Sequence, residues 1–304
     1  MIANARMYSI DPQSARAWKA LLEWVVARAS LSYDITDYPA PLRLSELWAR
    51  DNLGAVFMCG LPYALRERGD IAIEIVAAPI PSPERYAGLP RYMTDVVVRA
   101  DSAYTSIDDT FGGVVGYTVR DSQSGYFALR HFLAPWQGAR GGQLYRGVVG
   151  DLVNARGVID ALVDGRIDVG PLDSYCHDLL KRNQPEYARQ VRTIASTDPT
   201  PIPMFVAKRR RAMGPAGAAS TTPVVEAERA AAGAAAGPAR AAAGAAATDD
   251  LSRLRAAFDD AGTAPELSAV RETLALAGFA HPDPGDYAVL RQHHDALIAA
   301  PEVW

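Results

Sequence analysis

The first ninety residues alternate between short apolar runs and segments with apolar positions three and four apart. Residues 3–9 read as a strand. Asp11-Pro12 then opens a helix, with proline at its first position, where the missing N–H costs nothing. Trp18, Leu21, Leu22, Val25, Val26 and Ala29 recur at helical spacing, so one face of that helix is buried. Residues 33–38 alternate like a strand, and 44–50 suggest a short helix. "LGAVFMCG" (53–60) and "IAIEIVAAPI" (71–80) are continuous apolar strands. Strands alternating with helices predict a parallel or mixed sheet covered on both faces.

The pattern restarts at "RYMTDVVVRADS" (91–102), read as one long strand. A short helix at 106–113, a strand at 114–119, an amphipathic helix that begins within 119–133 and a strand at 144–150 follow. Residues 154–166 form an amphipathic helix, and 167–182 run from strand through turn to helix. Strands at 191–197 and 201–207 end this part. Two α/β units therefore appear, 1–92 and 93–199, joined by two extended crossings near 91–99 and 193–207. The first unit takes back 200–211 and 248–304. Two crossings between lobes allow hinge motion.

Residues 212–247 break the pattern. They are dominated by alanine and interrupted by Gly233, Gly237, Pro238 and Gly244, with almost nothing large enough to bury. This composition reads as a flexible, disordered Ala/Gly-rich insertion. Asp249-Asp250 then cap a helix to about Ala261, with two more helices near 265–277 and 285–299.

Composition narrows the function. The 304 residues carry a formal net charge of -4, so no global basic footprint points to nucleic acid. The run Lys208–Arg211 reads as a solvated linker start. The two cysteines, Cys59 and Cys176, match neither a metal spacing nor a C-x-x-C pair; both read as small buried or loop residues, with a disulfide left open. No run is long enough for a membrane helix. No basic stretch followed by an apolar one precedes the first strand, so the chain as given reads as mature, trimmed or cytoplasmic.

Enzyme signals are weak. Ser-Gln-Ser-Gly is not the nucleophile elbow. His131 and His177 follow serine-bearing turns but read as helix-surface residues. Neither a Walker loop nor G-x-G-x-x-G is present, so no cofactor is expected. Ligands of open α/β sheets lie beyond the carboxyl ends of strands. Five such ends carry hydroxyls, glycines and aromatics: Tyr8-Ser9; Gly60 and Tyr63; Tyr92 and Thr94; Ser122, Gln123, Ser124, Gly125 and Tyr126; and Asp173, Ser174 and Tyr175. That is small-molecule recognition chemistry. Ser122 and Ser124 can donate to anion oxygens where a helix begins, and Gly125 lets the backbone approach. Each residue also has a local reading: Ser122 or Ser124 as N-cap, Asp173 as cap of the next helix, the tyrosines as packing.

The segments "ANARMYS", "FMCGLPYA", "TDVVVRADS", "DTFGGVVGYTVRDSQSGYFALRHFL", "DVGPLDSYCHDLL", "ASTDPTPIPMFVA" and "LALAGFAHPDPGDYAVL", in that order, resemble the phosphate, phosphite and phosphonate-type substrate-binding proteins of ABC transporters. The resemblance covers roughly 1–207 and 249–300. It implies a two-lobe type II periplasmic-binding-protein fold, with mixed sheets covered by helices and a hinge of two crossings. Ser122, Ser124 and Gly125 would hold a phosphoryl group, Tyr63, Tyr92 and Thr94 would line the pocket, and Asp173 would meet the ligand's other end. The implied partners are a small anionic ligand and, if the chain is exported to the periplasm, a membrane permease. The chain would act as a monomer, without nucleic acid or catalysis. Kept beside this are a cytoplasmic enzyme or ligand sensor on the same fold, for example in thiamine or pyrimidine precursor metabolism, and a scaffold that works through the insertion.

Overall fold

The computed structural model describes residues 1–66, 71–210 and 236–304, with side chains from 249 in the last segment. The strands in chain order are β1 (Ile2–Asn4), β2 (Asp34–Ile35), β3 (Leu53–Met58), β4 (Ile71–Pro81), β5 (Arg91–Tyr92), β6 (Thr94–Arg99) and β7 (Val114–Gly116). They continue with β8 (Gly147–Val149), β9 (Gly170–Asp173), β10 (Val191–Ser196), β11 (Thr200–Pro201), β12 (Met204–Arg210) and β13 (Leu276–Ala280).

Six of them form one mixed sheet in the order β13-β4-β12-β3-β1-β2. β1 is parallel to β2 and β3, and the returning β12 inserts antiparallel between β3 and β4. Every residue of β3 is buried, which is why "LGAVFM" reads as an unbroken apolar run. Phe57 and Phe205 stack at 3.7 Å between their ring centroids, and Trp18 meets Phe57 edge-on from the helix Pro12–Arg28. That helix begins at a capping box: Asp11 accepts from Ser14 N, and Ser14 Oγ accepts from Asp11 N.

The second body is built on the antiparallel sheet β10-β6-β9, with β7 and β8 parallel beside it. A bridge between Val115 and Val169 joins the two pieces. The chain crosses between bodies at β5 and β11, which pair antiparallel, Thr200 with Tyr92 and Pro201 with Arg91. The structure is thus a two-lobe α/β fold with two adjacent crossings.

A buried charge sits at this crossing. The Asp95 carboxylate, in β6, has no exposed surface. It accepts from Arg85 at 3.0 Å and from Ser196 Oγ at 2.8 Å, and lies 2.8 Å from His177 Nδ1. Burial alone would raise its pKa; the His177 hydrogen bond and the Arg85 charge outweigh that and hold it below the ordinary value. Arg85 also pairs with Asp178 at 2.8 Å. His177 is therefore buried, contrary to the surface position expected for it, because Asp95 supplies a partner inside.

Other differences are local. The first strand ends at Asn4, and Arg6–Tyr8 form a tight 3₁₀ turn. The stretch 91–102 is two strands broken at Met93, where the backbone N–H donates to Ser174 Oγ instead of a ladder partner. Residues 276 and 277, read as the end of a helix, instead open β13 on the outer edge of the large sheet. The helix expected to start after Asp249-Asp250 starts at Ala236, since a run of alanines propagates helix readily. The rest of the expected insertion, 212–235, lies outside the described residues.

The chain's last residues make a further link. Helix Ala288–Ile298 packs on helix Gly60–Leu65 of the first body, where Arg291 donates to Ala64 O at 2.6 Å. Beyond it the tail crosses to the second body. Leu144 N donates to Val303 O at 2.8 Å, Gln137 Nε2 to Glu302 O at 3.0 Å, and Arg130 to Ala300 O at 3.2 Å. Trp304 stacks on Tyr117 at 5.9 Å and is 8% exposed. Trp304→Ala should cost roughly 3 kcal/mol, as for other buried Trp→Ala changes; urea unfolding with an unchanged slope checks this.

Candidate ligand-binding cleft

A cleft of about 1300 Å³ opens between the two bodies. Its floor receives the carboxyl ends of β1, β3 and β9, where open α/β sheets place ligands.

On the second body, Ser122 caps one turn of π-helix, Gln123–Phe127, which continues as the α-helix Ala128–Arg140. Phe127 N donates to Ser122 O at 3.1 Å, the i to i+5 bond that defines the widened turn. Ser122 Oγ accepts from Gly125 N at 3.0 Å. The local reading therefore holds for Ser122, and its hydroxyl proton stays available for a second bond. Gly125 admits no side chain: a Cβ there would lie 1.8 Å from Thr118 Oγ1. Thr94 Oγ1 donates to Ser124 O at 3.1 Å, so the crossing strand β6 holds the turn from behind. Two polar groups here are buried without a hydrogen-bond partner among the described residues, the Tyr92 hydroxyl and the Gln123 side-chain amide. Such orphans cost about 1–3 kcal/mol each in a finished core.

Asp173 ends β9 and caps the helix Ser174–Asn183. Its Oδ1 accepts from Tyr175 N at 2.9 Å and Cys176 N at 3.0 Å; its Oδ2 accepts from Tyr8 OH of the first body at 3.3 Å. Burial pushes its pKa up to about 7, against the pull of those amides and Tyr8. The carboxyl is therefore poised between acceptor and donor at neutral pH. From the first body come Ser9 and Cys59. Burial pushes the Cys59 thiol to about 11, although the amides of Gln123 and Leu61 face it. Cys59 and Cys176 are both free thiols at this cleft.

Of the residues picked from strand ends, Ser9, Ser122, Ser124, Gly125 and Asp173 line the cleft. Tyr8, Tyr92 and Thr94 are buried behind it, and Gln123 is buried within the turn. The others lie elsewhere. Gly60 packs under Leu290, and Tyr63 lies 5.4 Å from the Tyr287 ring with Arg66 over its other side. Tyr126 points to the tail and donates to Glu302 at 2.6 Å. Ser174 Oγ accepts from Met93 N, and Tyr175 OH donates to Leu274 O at 2.6 Å. Arg6, Arg16 and Lys19 line the cleft and were not picked out. Ending the first strand at Asn4 rather than Ser9 brings Arg6 to the strand end, where the same rule finds it.

Residues 9–217 match the family described as ABC transporter, phosphonate, periplasmic substrate-binding protein. Among solved structures, the chain is similar to a binding protein component of an ABC phosphonate transporter from Pseudomonas aeruginosa. The identity there is 16%, over 96% of this chain and 85% of that one, with a TM-score of 0.67. It is also similar to PhnD1 from Prochlorococcus marinus in complex with methylphosphonate, at 11% identity over 97% of each chain and a TM-score of 0.68. A Xanthomonas citri protein bound to a chloride ion shares 16% identity over 97% of this chain and 99% of that one, with a TM-score of 0.59. A search of curated proteins finds no match. The fold and its interlobe cleft define a periplasmic-binding-protein architecture of type II. The chain belongs to the phosphonate family of periplasmic substrate-binding proteins of ABC transporters. Among the described residues, no helix is long and apolar enough to cross a membrane.

Asp173 also links stability to pH. Its folded pKa of about 7 lies above the unfolded value of about 3.9. The stability it contributes is full below pH ~4 and is lost as pH rises through about 7. Asn caps helices as well as Asp. Asp173→Asn should therefore melt above the parent at pH 8, with the gap closing at pH 4, when both are followed by circular dichroism.

Proposed function

We propose that the chain binds a small phosphorus oxyanion, of the phosphate, phosphite or phosphonate class, in this cleft. It then presents the anion to an ABC permease from the periplasmic side, acting as a monomer and by binding without catalysis. One lobe comprises 1–92, 200–211 and 248–304, and the other 93–199. The β5–β11 pair falls at those limits, and rotation there would close the cleft on the ligand.

The observation that carries this reading is that Ser122, Ser124, Gly125 and Asp173 share one wall of one cleft. The hydroxyls of Ser122 and Ser124 donate to the anion's oxygens, and the π-turn brings backbone amides toward it. Asp173, in its neutral form, gives one more O–H. Closure removes water and strengthens each of these bonds.

Isothermal titration calorimetry with methylphosphonate, phosphate, phosphite and sulfate tests it. At least one phosphorus oxyanion should bind, and Ser124→Ala should weaken it by about tenfold, the loss expected for a hydrogen bond to a charged group. Binding by none of them, or binding indifferent to Ser124, sinks the reading. Affinity should fall as pH rises above about 7, where Asp173 must first take up a proton; in Asp173→Asn this part of the pH dependence should vanish.

A further inference from the structure

The Ser122–Gly125 turn offers dipoles and hydroxyls but no cation. Arg120 lines the cleft beside it, yet its guanidinium is held by Glu302 at 2.5 Å. The cations that remain are on the opposite wall. Arg6 stands on the tight turn Arg6–Tyr8, whose geometry is fixed by Arg6 N donating to Asn4 Oδ1 at 3.0 Å and Ser9 N donating to Arg6 O at 3.1 Å. Its guanidinium lies 5.8 Å from the centre of the Tyr38 ring, which holds it by a cation–π contact. It is half-buried and forms no ion pair with a carboxylate among the described residues. Burial lowers its pKa from the ordinary value, as expected of a cation drawn from water without an anion. Arg16 and Lys19, one turn apart on the helix Pro12–Arg28, reach the same wall and are likewise outside any ion pair among the described residues. Arg43 completes that rim, on which Asp37 is the one acid and leaves the cations in excess, while Asp121 and Asp151 stand on the other wall.

The dimensions agree. A cleft of about 1300 Å³ is larger than the roughly 300–1,000 Å³ that suits a drug-sized ligand, and far more than one inorganic oxyanion fills. Met7, Ile10 and Leu22 lie along it, an apolar run suited to carbon.

We infer that the ligand is an organic phosphonate or phosphate ester with a second anionic group, which Arg6 receives on the wall opposite the Ser122–Gly125 turn, with Arg16 and Lys19 beside it. This rests on the oxyanion reading above and adds to it the far end of the ligand. The phosphoryl end is held by hydroxyls and amides, and the second anion by a guanidinium that is preorganised on Tyr38 and pays little reorganisation on binding.

The test compares two ligands with the same three-carbon chain, 2-carboxyethylphosphonate and propylphosphonate, on the full chain by titration calorimetry. The carboxylated ligand should bind about tenfold tighter, the effect of one charge-assisted pair. In Arg6→Gln that ratio should fall to near one. Should Arg6→Gln fail to fold, the double variant Arg16→Gln/Lys19→Gln, at two exposed positions, should still lower the ratio. Equal affinity of the parent for both ligands overturns the inference, as does a ratio unchanged in every folded variant. If the parent binds neither these ligands nor methylphosphonate, phosphate or phosphite, the oxyanion reading itself falls; if it binds only phosphate or phosphite, the present inference alone is overturned. The two failures are therefore distinct.

Discussion

The ionised Asp95 carboxylate, with no exposed surface, is the constraint around which the crossing is arranged. A charge so placed needs partners on every side, and removing one costs about 3–5 kcal/mol. Arg85, His177 and Ser196 supply them from three different segments. Those segments are the turn after β4, the helix that starts at Asp173, and β10. Satisfying one carboxylate thus fixes how the second body meets the crossing strands. It also separates two acids. Asp95 takes the cations, while Asp173, reached only by amides and a phenol, keeps its proton to about pH 7. Environment alone sets the two carboxyls apart, one ionised at the crossing and one lining the cleft.

The cleft wall bears the same stamp. The Ser122–Gly125 turn presents neutral donors, with the buried Asp173 carboxyl beside them, so on the proposed reading the field on a bound anion is modest and a ligand that cannot accept a proton is penalised. Such a wall discriminates through unpaired donors and acceptors rather than through net attraction, and mismatches of this kind are the costly ones.

Much of the fold was legible in the sequence. The buried strand 53–58, the capped helix at Pro12 and the two crossings follow from apolar runs and cap residues that the tertiary structure leaves unchanged. What was illegible depended on distant partners. The helix read to residue 277 stops short of Leu276, because an open edge on β4 draws 276–280 into the sheet. His177 looks like a surface residue until Asp95, 82 positions away, is placed beside it. At the cleft, the strand-end rule located Ser122, Ser124, Gly125 and Asp173, which short local turns put in place. Tyr63, Tyr126 and Tyr175 lie away from the cleft lining, because a tyrosine's ring and hydroxyl follow whatever packs nearby, here Tyr287, the tail and Leu274. Arg6 was hidden by a boundary error of a few residues, the least certain quantity in any such reading.

The tail at 299–304 alters the mechanics of the joint. Two adjacent strands alone would leave the lobes free to twist as well as to swing. The tail is anchored to the first lobe through helix Ala288–Ile298, and its end is pinned by Leu144, Gln137 and Tyr117 on the second. It is one more attachment, beside those that the helix Ser174–Asn183 makes to the first body, where Tyr175 donates to Leu274 O and Asn183 to Asp11 and Thr273. A rotation of one body against the other would have to bend or break several of these hydrogen bonds together, not the crossing strands alone.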